Sequence, residues 1–228
     1  MTTQLNELGQ PVGAQVPGWQ PRATPPMTSL LGRTCSVVAL TEAHLADLWS
    51  AYADTDDAHW TYLPAERPRS VDEVRLLLPQ RSAGYYTYAV MMAGAAQGML
   101  SLLRADAANG VIEVGWIALG SRLKRTVAAT EAQRLVMGHV FDDLGYRRLE
   151  WKCDALNAPS RAAAERLGYR LEGVFRHHVV TKGRNRDTAW YAVLDSEWPS
   201  LRSRLDTWLA PSNFTADGQQ RARLGGAA

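Results

Sequence analysis

The chain reads as an α/β (α+β) domain on one mixed, mostly antiparallel central sheet flanked by helices. Three observations lead there. Segments of alternating apolar character recur at strand length, most clearly in Val111–Leu119 and Arg148–Asp154. Glycine-rich or Asn-Gly turns separate adjacent segments, so neighbours pair locally as hairpins. One long amphipathic stretch, residues 128–144, stands between the fourth and fifth strands, and such a crossover favours parallel neighbours.

The elements follow in order. Residues 1–34 lack periodicity and are punctuated by Pro11, Pro17, Pro21, Pro25 and Pro26, which makes them an extended arm. Either the arm hangs free, or Trp19, Met27, Leu30 and Leu31 lay it on the domain or on a partner subunit. Cys35–Leu40 is the first strand. Thr41 caps a helix that carries Leu45, Leu48, Trp49 and Tyr52 on one face. A polar break, residues 54–57, and an aromatic loop, His59–Pro64, lead to a second helix from Ser70 with Val71, Val74, Leu77 and Leu78 as its stripe. Tyr85–Met92 and Met99–Arg104 form a hairpin around Gly94 and Gly98. Asn109-Gly110 then turns into the fourth strand, Val111–Leu119. Alternation puts Ile112, Val114 and Trp116 on one face there, and Glu113, Gly115 and Ile117 on the other. The long helix ends before Gly145. Leu149, Trp151 and Cys153 point inward from the next strand. Asn157 opens a short helix that Gly168 closes. Strands at 170–180 and 187–194 flank Lys182–Asn185. A helix from Ser196 carries Trp198, Leu201, Leu205 and Trp208, and the chain past Pro211 reads as frayed. The division is an arm, 1–34, a core domain, 35–195, and a C-terminal helix and tail, 196–228.

With 228 residues the chain suits one domain with extensions. Apolar residues make up 46% and charged residues 21%, which is ordinary globular usage and argues against disorder or a disulfide scaffold. Twenty-five Lys and Arg against 23 Asp and Glu leave a net charge of +2, so no broad footprint for nucleic acid or an anionic membrane is present. Cys35 and Cys153 match no metal or redox spacing and read as reduced thiols of a cytoplasmic protein. No apolar run reaches the ~20 residues of a membrane helix, and no secretory leader is apparent.

Several blocks carry a resemblance: Trp60–Pro64, Thr130-Glu131-Ala132, Asn157-Ala-Pro-Ser160 leading to Leu167-Gly168-Tyr169, Leu171–Arg176, and Lys182–Trp190. In this order and spacing the chain resembles the Gcn5-related N-acetyltransferases (GNAT), and within them the RimJ/RimL-like branch. The resemblance spans roughly Cys35 to Trp198. The leader Asn6–Pro11 and the tail through Phe214 also resemble a subgroup of that family. It implies the GNAT acyl-CoA N-acyltransferase fold and an N-acetyltransferase that uses acetyl-CoA as co-substrate and no metal. An amine, either a protein N-terminus or a small molecule, would attack the thioester directly in a ternary complex.

The resemblance places acetyl-CoA beside Trp116, Ile117 and Ala118, with its pyrophosphate on the loop and helix start Lys124, Arg125, Thr126, Val127, Ala128, Ala129 and Thr130. A helix start suits a diphosphate because its first N–H groups lack partners and its dipole end is positive. The family motif there is Q/R-x-x-G-x-G/A. Here Lys124 replaces the first residue and Val127 the middle glycine, and a β-branched residue obstructs the loop if φ must be positive. Arg122, Lys124 and Arg125 supply cations; the bland alternative is a solvated basic loop capping a helix. By resemblance, Asn157 holds the pantetheine arm and Ser160 protonates the leaving thiolate, although both also suit a helix start. The tyrosine acid of many relatives is Ala164 here.

Glu113 is the candidate general base, its basicity raised by an apolar wall, with a structural carboxylate as the alternative. Glu172 is a second candidate. Trp60 and Tyr62 are candidates for the acceptor wall, against a plain hydrophobic clasp for Trp60. His59 reads as a surface histidine, and His177-His178 lack a third ligand at zinc spacing. Lys182–Arg186 is a basic hairpin tip. Two rival readings stay open: a non-catalytic acyl-CoA-binding module, motivated by Val127 and Ala164, and a nucleic-acid-associated protein, motivated by Lys182–Arg186 and opposed by the net charge. A homodimer is compatible with the arm and the C-terminal Trp stripe.

Overall fold

The computed structural model describes residues 3–78 and 84–225. The first two residues of the arm and the last three of the tail lie outside these. Fifteen regular elements follow one another: β1 (Thr3–Leu5), β2 (Pro11–Gly13), β3 (Leu30–Leu31), β4 (Ser36–Ala39), α1 (Leu45–Ala53), α2 (Val71–Leu77), β5 (Tyr85–Met92), β6 (Ala95–Asp106), β7 (Val111–Leu119), α3 (Val127–Gly138), β8 (Arg148–Asp154), α4 (Ala158–Leu167), β9 (Arg170–Thr181), β10 (Arg184–Leu194) and α5 (Trp198–Leu209). Short 3-10 turns occupy Glu42–His44, Asp57–Trp60 and Pro211–Asn213, and α3 runs on into a π-turn at His139–Asp143.

Eight strands form one sheet in the order β3-β4-β5-β6-β7-β8-β10-β9. Every neighbouring pair is antiparallel except β7 and β8, which are parallel because α3 crosses between them. This is the mixed sheet that the sequence predicts. Two hairpins are tighter than expected. Ala93-Gly94 and Lys182-Gly183 all have positive φ, which gives two-residue turns matched to the strand twist.

The two faces bury separate cores. Val37, Tyr88, Leu100, Ile112, Val114, Leu149, Trp151, Ala189 and Tyr191 pack under α3, α4 and α5. Leu45, Leu48, Tyr52, Trp60, Val74, Ala89 and Met99 pack with α1 and α2 on the other face, in a cluster that includes no residue of β8, β9 or β10. Burial of several such side chains, each worth roughly 1.5–3 kcal/mol, fixes each helix to its face.

Three points resolve or change an expectation. The arm lies on its own domain after a short exposed hairpin, β1–β2. Trp19 Nε1 donates to the Ala108 carbonyl at 2.8 Å, and the Tyr146 and Tyr88 hydroxyls donate to the carbonyls of Ala23 and Pro26, each at 3.0 Å. The start of the core is stitched to α3 by buried Glu131, whose carboxylate accepts the N–H groups of Arg33, Thr34 and Cys35 at 2.9, 2.6 and 3.2 Å. Gly32 leaves room for it, since a Cβ there would lie 2.8 Å from the Glu131 carboxyl carbon.

The tail past Pro211 is folded back rather than frayed. Phe214 meets the Trp208 ring edge-on at 5.3 Å, Asn213 bridges to Ala222, and Leu224 is buried.

The third change is in β7. Trp116 does not share a face with Ile112 and Val114. Its φ is +49°, and residues 116 and 117 together oppose Leu100 of β6, a β-bulge. The extra residue inverts the alternation, so Trp116 packs with the α1–α2 cluster while Ile117 packs with the other core.

Candidate active site

The local cause of the site is a fork in the sheet. β7 and β8 pair through Val111, Ile112 and Glu113 against Arg148, Leu149 and Glu150, and no further. Beyond that level the β8-side edge of β7, Val114–Leu119, has no partner strand among the described residues. The bulge at Trp116 bends β7 at this point. Backbone groups along such an edge need partners, so the fork is suited to an extended amide-bearing ligand. Trp116, Ile117 and Ala118 lie on it. Tyr52 Oη, from α1, donates to the Ala118 carbonyl at 3.1 Å.

The chain leaves the fork through a basic loop into α3. Thr126 is the N-cap: its Oγ1 accepts from Ala129 N–H at 3.2 Å and donates to the Leu123 carbonyl at 2.7 Å. The N–H groups of Val127 and Ala128 find no acceptor among the described residues. Thr130 closes the first turn through its N–H to the Thr126 carbonyl. Val127 is therefore ordinary helical backbone. The left-handed position is Arg125, with φ +60°, so the obstruction expected at Val127 does not arise. Lys124 is half-buried, and burial lowers its pKa, with Asp56 opposing. Unpaired N–H groups, a positive dipole end and cations fit a diphosphate.

Across the fork, Asn157 caps α4, its Oδ1 accepting from Ser160 N–H at 3.1 Å. Ser160 Oγ accepts from Trp151 Nε1 at 3.0 Å, and a side-chain hydrogen bond joins Ser160 to the Cys153 sulfur. Cys153 lies beside it as a buried free thiol, its pKa raised by that burial.

Glu113 is buried, but no apolar wall surrounds it. Its Oε2 accepts from Arg104 Nη1 at 2.6 Å and from Lys152 Nζ at 2.9 Å. Its Oε1 has no partner among the described residues and faces Gly115, where a Cβ would lie 3.0 Å away. Lys152 also reaches Glu150 at 2.8 Å, and Arg148 joins Glu150 at 2.8 Å to Glu172 at 2.5 Å. A ladder of alternating charge thus crosses β6, β7, β8 and β9 on the sheet face that α1 and α2 leave uncovered. Glu172 is its far end, held by Arg148, which lowers its pKa. The alternation of β8 turns Glu150 and Lys152 away from Leu149 and Trp151, but nothing in their spacing reveals that Glu113 meets them.

The aromatic loop differs from expectation at Trp60. This residue is 1% exposed, donates Nε1 to Thr55 Oγ1 at 2.9 Å and meets Tyr52 edge-on at 5.2 Å. It is a core clasp and cannot touch an acceptor. Tyr62 is half-buried on the same loop. Lys182, from the β9–β10 turn, donates to the Trp60 carbonyl at 2.8 Å and pairs with Glu66 at 3.2 Å, so the hairpin tip reaches across to this loop. His59 is not a surface histidine. It is half-buried with Nε2 unpartnered, and burial, then Lys124, lower its pKa to about 4. Aromatic residues that do line the uncovered face, Phe175, His178 and Trp190, come from β9 and β10. The sequence reading assigned them no role because a strand pattern does not say which face a helix covers.

Among the described residues, no group of three or more His, Cys, Asp or Glu could hold a metal ion, and no helix is long and apolar enough to cross a membrane.

Comparison with known proteins agrees with this fold. The family described as acetyltransferase (GNAT) domain matches residues 36–170. The fold is similar to that of a GCN5-related N-acetyltransferase from Brucella melitensis, with TM-score 0.88, 44% identity, and 92% of this chain and 97% of that one covered. A GNAT-family structure from Chromobacterium violaceum ATCC 12472 is similar at TM-score 0.77 and 36% identity, covering 83% and 98% of the two chains. In sequence, the chain is 30% identical over 146 residues to YdaF of Bacillus subtilis (strain 168), covering 61% of this chain and 78% of YdaF, a protein provisionally named a ribosomal N-acetyltransferase.

Proposed function

The chain belongs to the GNAT family of acetyltransferases, and from that premise we propose that it transfers the acetyl group of acetyl-CoA to the N-terminal amine of a polypeptide. The observation that carries this reading is the fork between β7 and β8, flanked by the unpaired N–H groups of Val127 and Ala128. The name of YdaF supports the polypeptide acceptor, and a cytoplasmic protein is in keeping with such an acceptor.

Acetyl-CoA, when bound, supplies the electrophilic thioester. The α3 start, with Lys124, Arg125 and the Thr126–Thr130 turn, holds its diphosphate. Trp116, Ile117 and Ala118 line the acyl end, and Asn157 orients the pantetheine arm. Glu113 Oε1 accepts a proton from the incoming ammonium. Oε2 stays held by Arg104 and Lys152, which fix the carboxylate in place. An α-amino group, with pKa ~7.7–8.0, asks less of such a base than a lysine does. The free amine then attacks the thioester carbon, the C–S bond breaks as Ser160 donates its proton to the departing sulfur, and the attacking nitrogen loses its second proton to solvent to leave the neutral amide. Ser160 regains a proton from solvent, and Glu113 releases its proton to solvent.

Titration calorimetry with acetyl-CoA, followed by thiol release and product mass spectrometry over a peptide panel, tests the reading. Binding together with N-terminal acetylation is expected. Binding without transfer to any peptide or small amine would leave a non-catalytic acyl-CoA-binding protein.

A further inference from the structure

The uncovered sheet face continues past the charge ladder into an aromatic notch. Trp190 stands opposite Lys152 on β8, and its ring carries the Lys152 ammonium at 3.9 Å. On its other side Trp190 stands opposite Gly173 of β9, where an added Cβ would meet no atom within 4 Å. The missing side chain leaves open space beside the Trp190 ring. Phe175, 50% exposed, packs at 4.3 Å from Trp190 and forms one wall. His178 continues that wall, at 5.7 Å from Phe175 and 5.6 Å from Trp190, its Nδ1 within 2.9 Å of Thr188 Oγ1.

We infer that this notch takes an apolar side chain of the acceptor, that of its second residue, and so sets which polypeptides are acetylated. The inference rests on the acetyl-transfer reading above. Reach supports the second residue. Lys152 Nζ touches both Glu113 Oε2, at 2.9 Å, and the Trp190 ring, at 3.9 Å, so that ring lies within about 7 Å of the carboxylate, and Gly173, one strand beyond, adds ~5 Å. From an amine at Glu113 Oε1, one Cα–Cα step of ~3.8 Å and a Leu or Phe side chain cover that distance. Charge supports an apolar occupant. Arg104, Glu113, Lys152, Glu150, Arg148 and Glu172 compensate one another along the ladder, so the floor leaves no net charge for an ionic side chain. The adjoining surface is then aromatic, where apolar burial gives the selectivity.

The test is kcat/KM for acetylation of Ser-X-Ala amides with X as Gly, Ala, Leu or Phe. The Leu or Phe peptide is expected to exceed the Gly peptide about tenfold, the effect of partly burying one such side chain. Gly173→Val fills the notch, and Gly173 is not at a positive φ, so the backbone accepts the substitution. The Leu-to-Gly ratio should then fall below about twofold. Phe175→Ala should lower it partially, and Phe175→Leu should restore it. A ratio taken within one variant cancels any loss of folded enzyme. Transfer with no preference, or a preference that both Gly173→Val and Phe175→Ala leave intact, overturns the notch and spares the acetyltransferase reading. No transfer to any peptide in the panel overturns both.

Discussion

The Lys152 ammonium lies 2.9 Å from the carboxylate of Glu113, the last residue of β7 that pairs with β8 before the strands part. Arg104 binds the same oxygen, so Glu113 presents its other oxygen toward Gly115 and the fork. The carboxylate is thus rigid on one side and available on the other. The base role proposed for Glu113 needs a carboxylate held in this way.

Glu113→Gln should lower kcat at pH 7 by about 10²-fold, the usual contribution of a positioned base, with little change in KM for acetyl-CoA. Steady-state kinetics on one peptide checks it. An unchanged kcat would leave Glu113 a purely structural partner of Arg104 and Lys152. The variant should also unfold more easily, since Lys152 is left with Glu150 as its one carboxylate.

Arg125 holds a left-handed conformation that costs a non-glycine residue about 1 kcal/mol. Arg125→Gly should therefore raise the unfolding free energy by about that amount and raise KM for acetyl-CoA several-fold through the lost cation. Urea unfolding and kinetics on the same preparation separate the two effects. A fall in both stability and affinity would mean that the Arg125 side chain serves the fold.

Trp60→Ala should destabilise the protein by about 3–5 kcal/mol, the cost of emptying a buried aromatic site. Acceptor KM, measured per folded molecule, should hardly move, because the ring cannot reach substrate. Trp60→Phe loses the bond to Thr55 and part of the volume, and should cost less. A large rise in acceptor KM for Trp60→Phe would return the residue to the acceptor wall.

His59 titrates near pH 4 in the folded chain and near 6.5 when unfolded. Between those values the unfolded state binds more protons, so stability falls as pH drops from about 6.5 to about 4 and is not lowered further by this group below that. Half-burial limits the effect to about 1–2 kcal/mol. Wild type and His59→Gln, compared by urea unfolding at pH 7 and pH 4.5, should differ in their acid loss by this amount. Equal losses would place the acid sensitivity elsewhere.

Much was legible in the sequence. The alternation of Arg148–Asp154, the turn glycines and the long crossover helix specify strands, hairpins and one parallel pair, because each signal is local or spans a single connection. Asn157 is readable as a helix cap for the same reason. Three things depended on tertiary structure. The bulge at Trp116 inverts the face of the strand beyond it, and a period-two pattern has no mark for an inserted residue. Trp60 is clasped by Thr55 and Tyr52, which its own loop does not disclose. Glu113 meets Arg104 and Lys152 from the two flanking strands, and Trp190 meets Gly173, only because β6, β7, β8, β10 and β9 lie in that order. Sequence alone thus determined the elements of the core and the family. The sheet order and one bulge decided which side chains share a face, because contacts between strands depend on pairing that no single segment encodes.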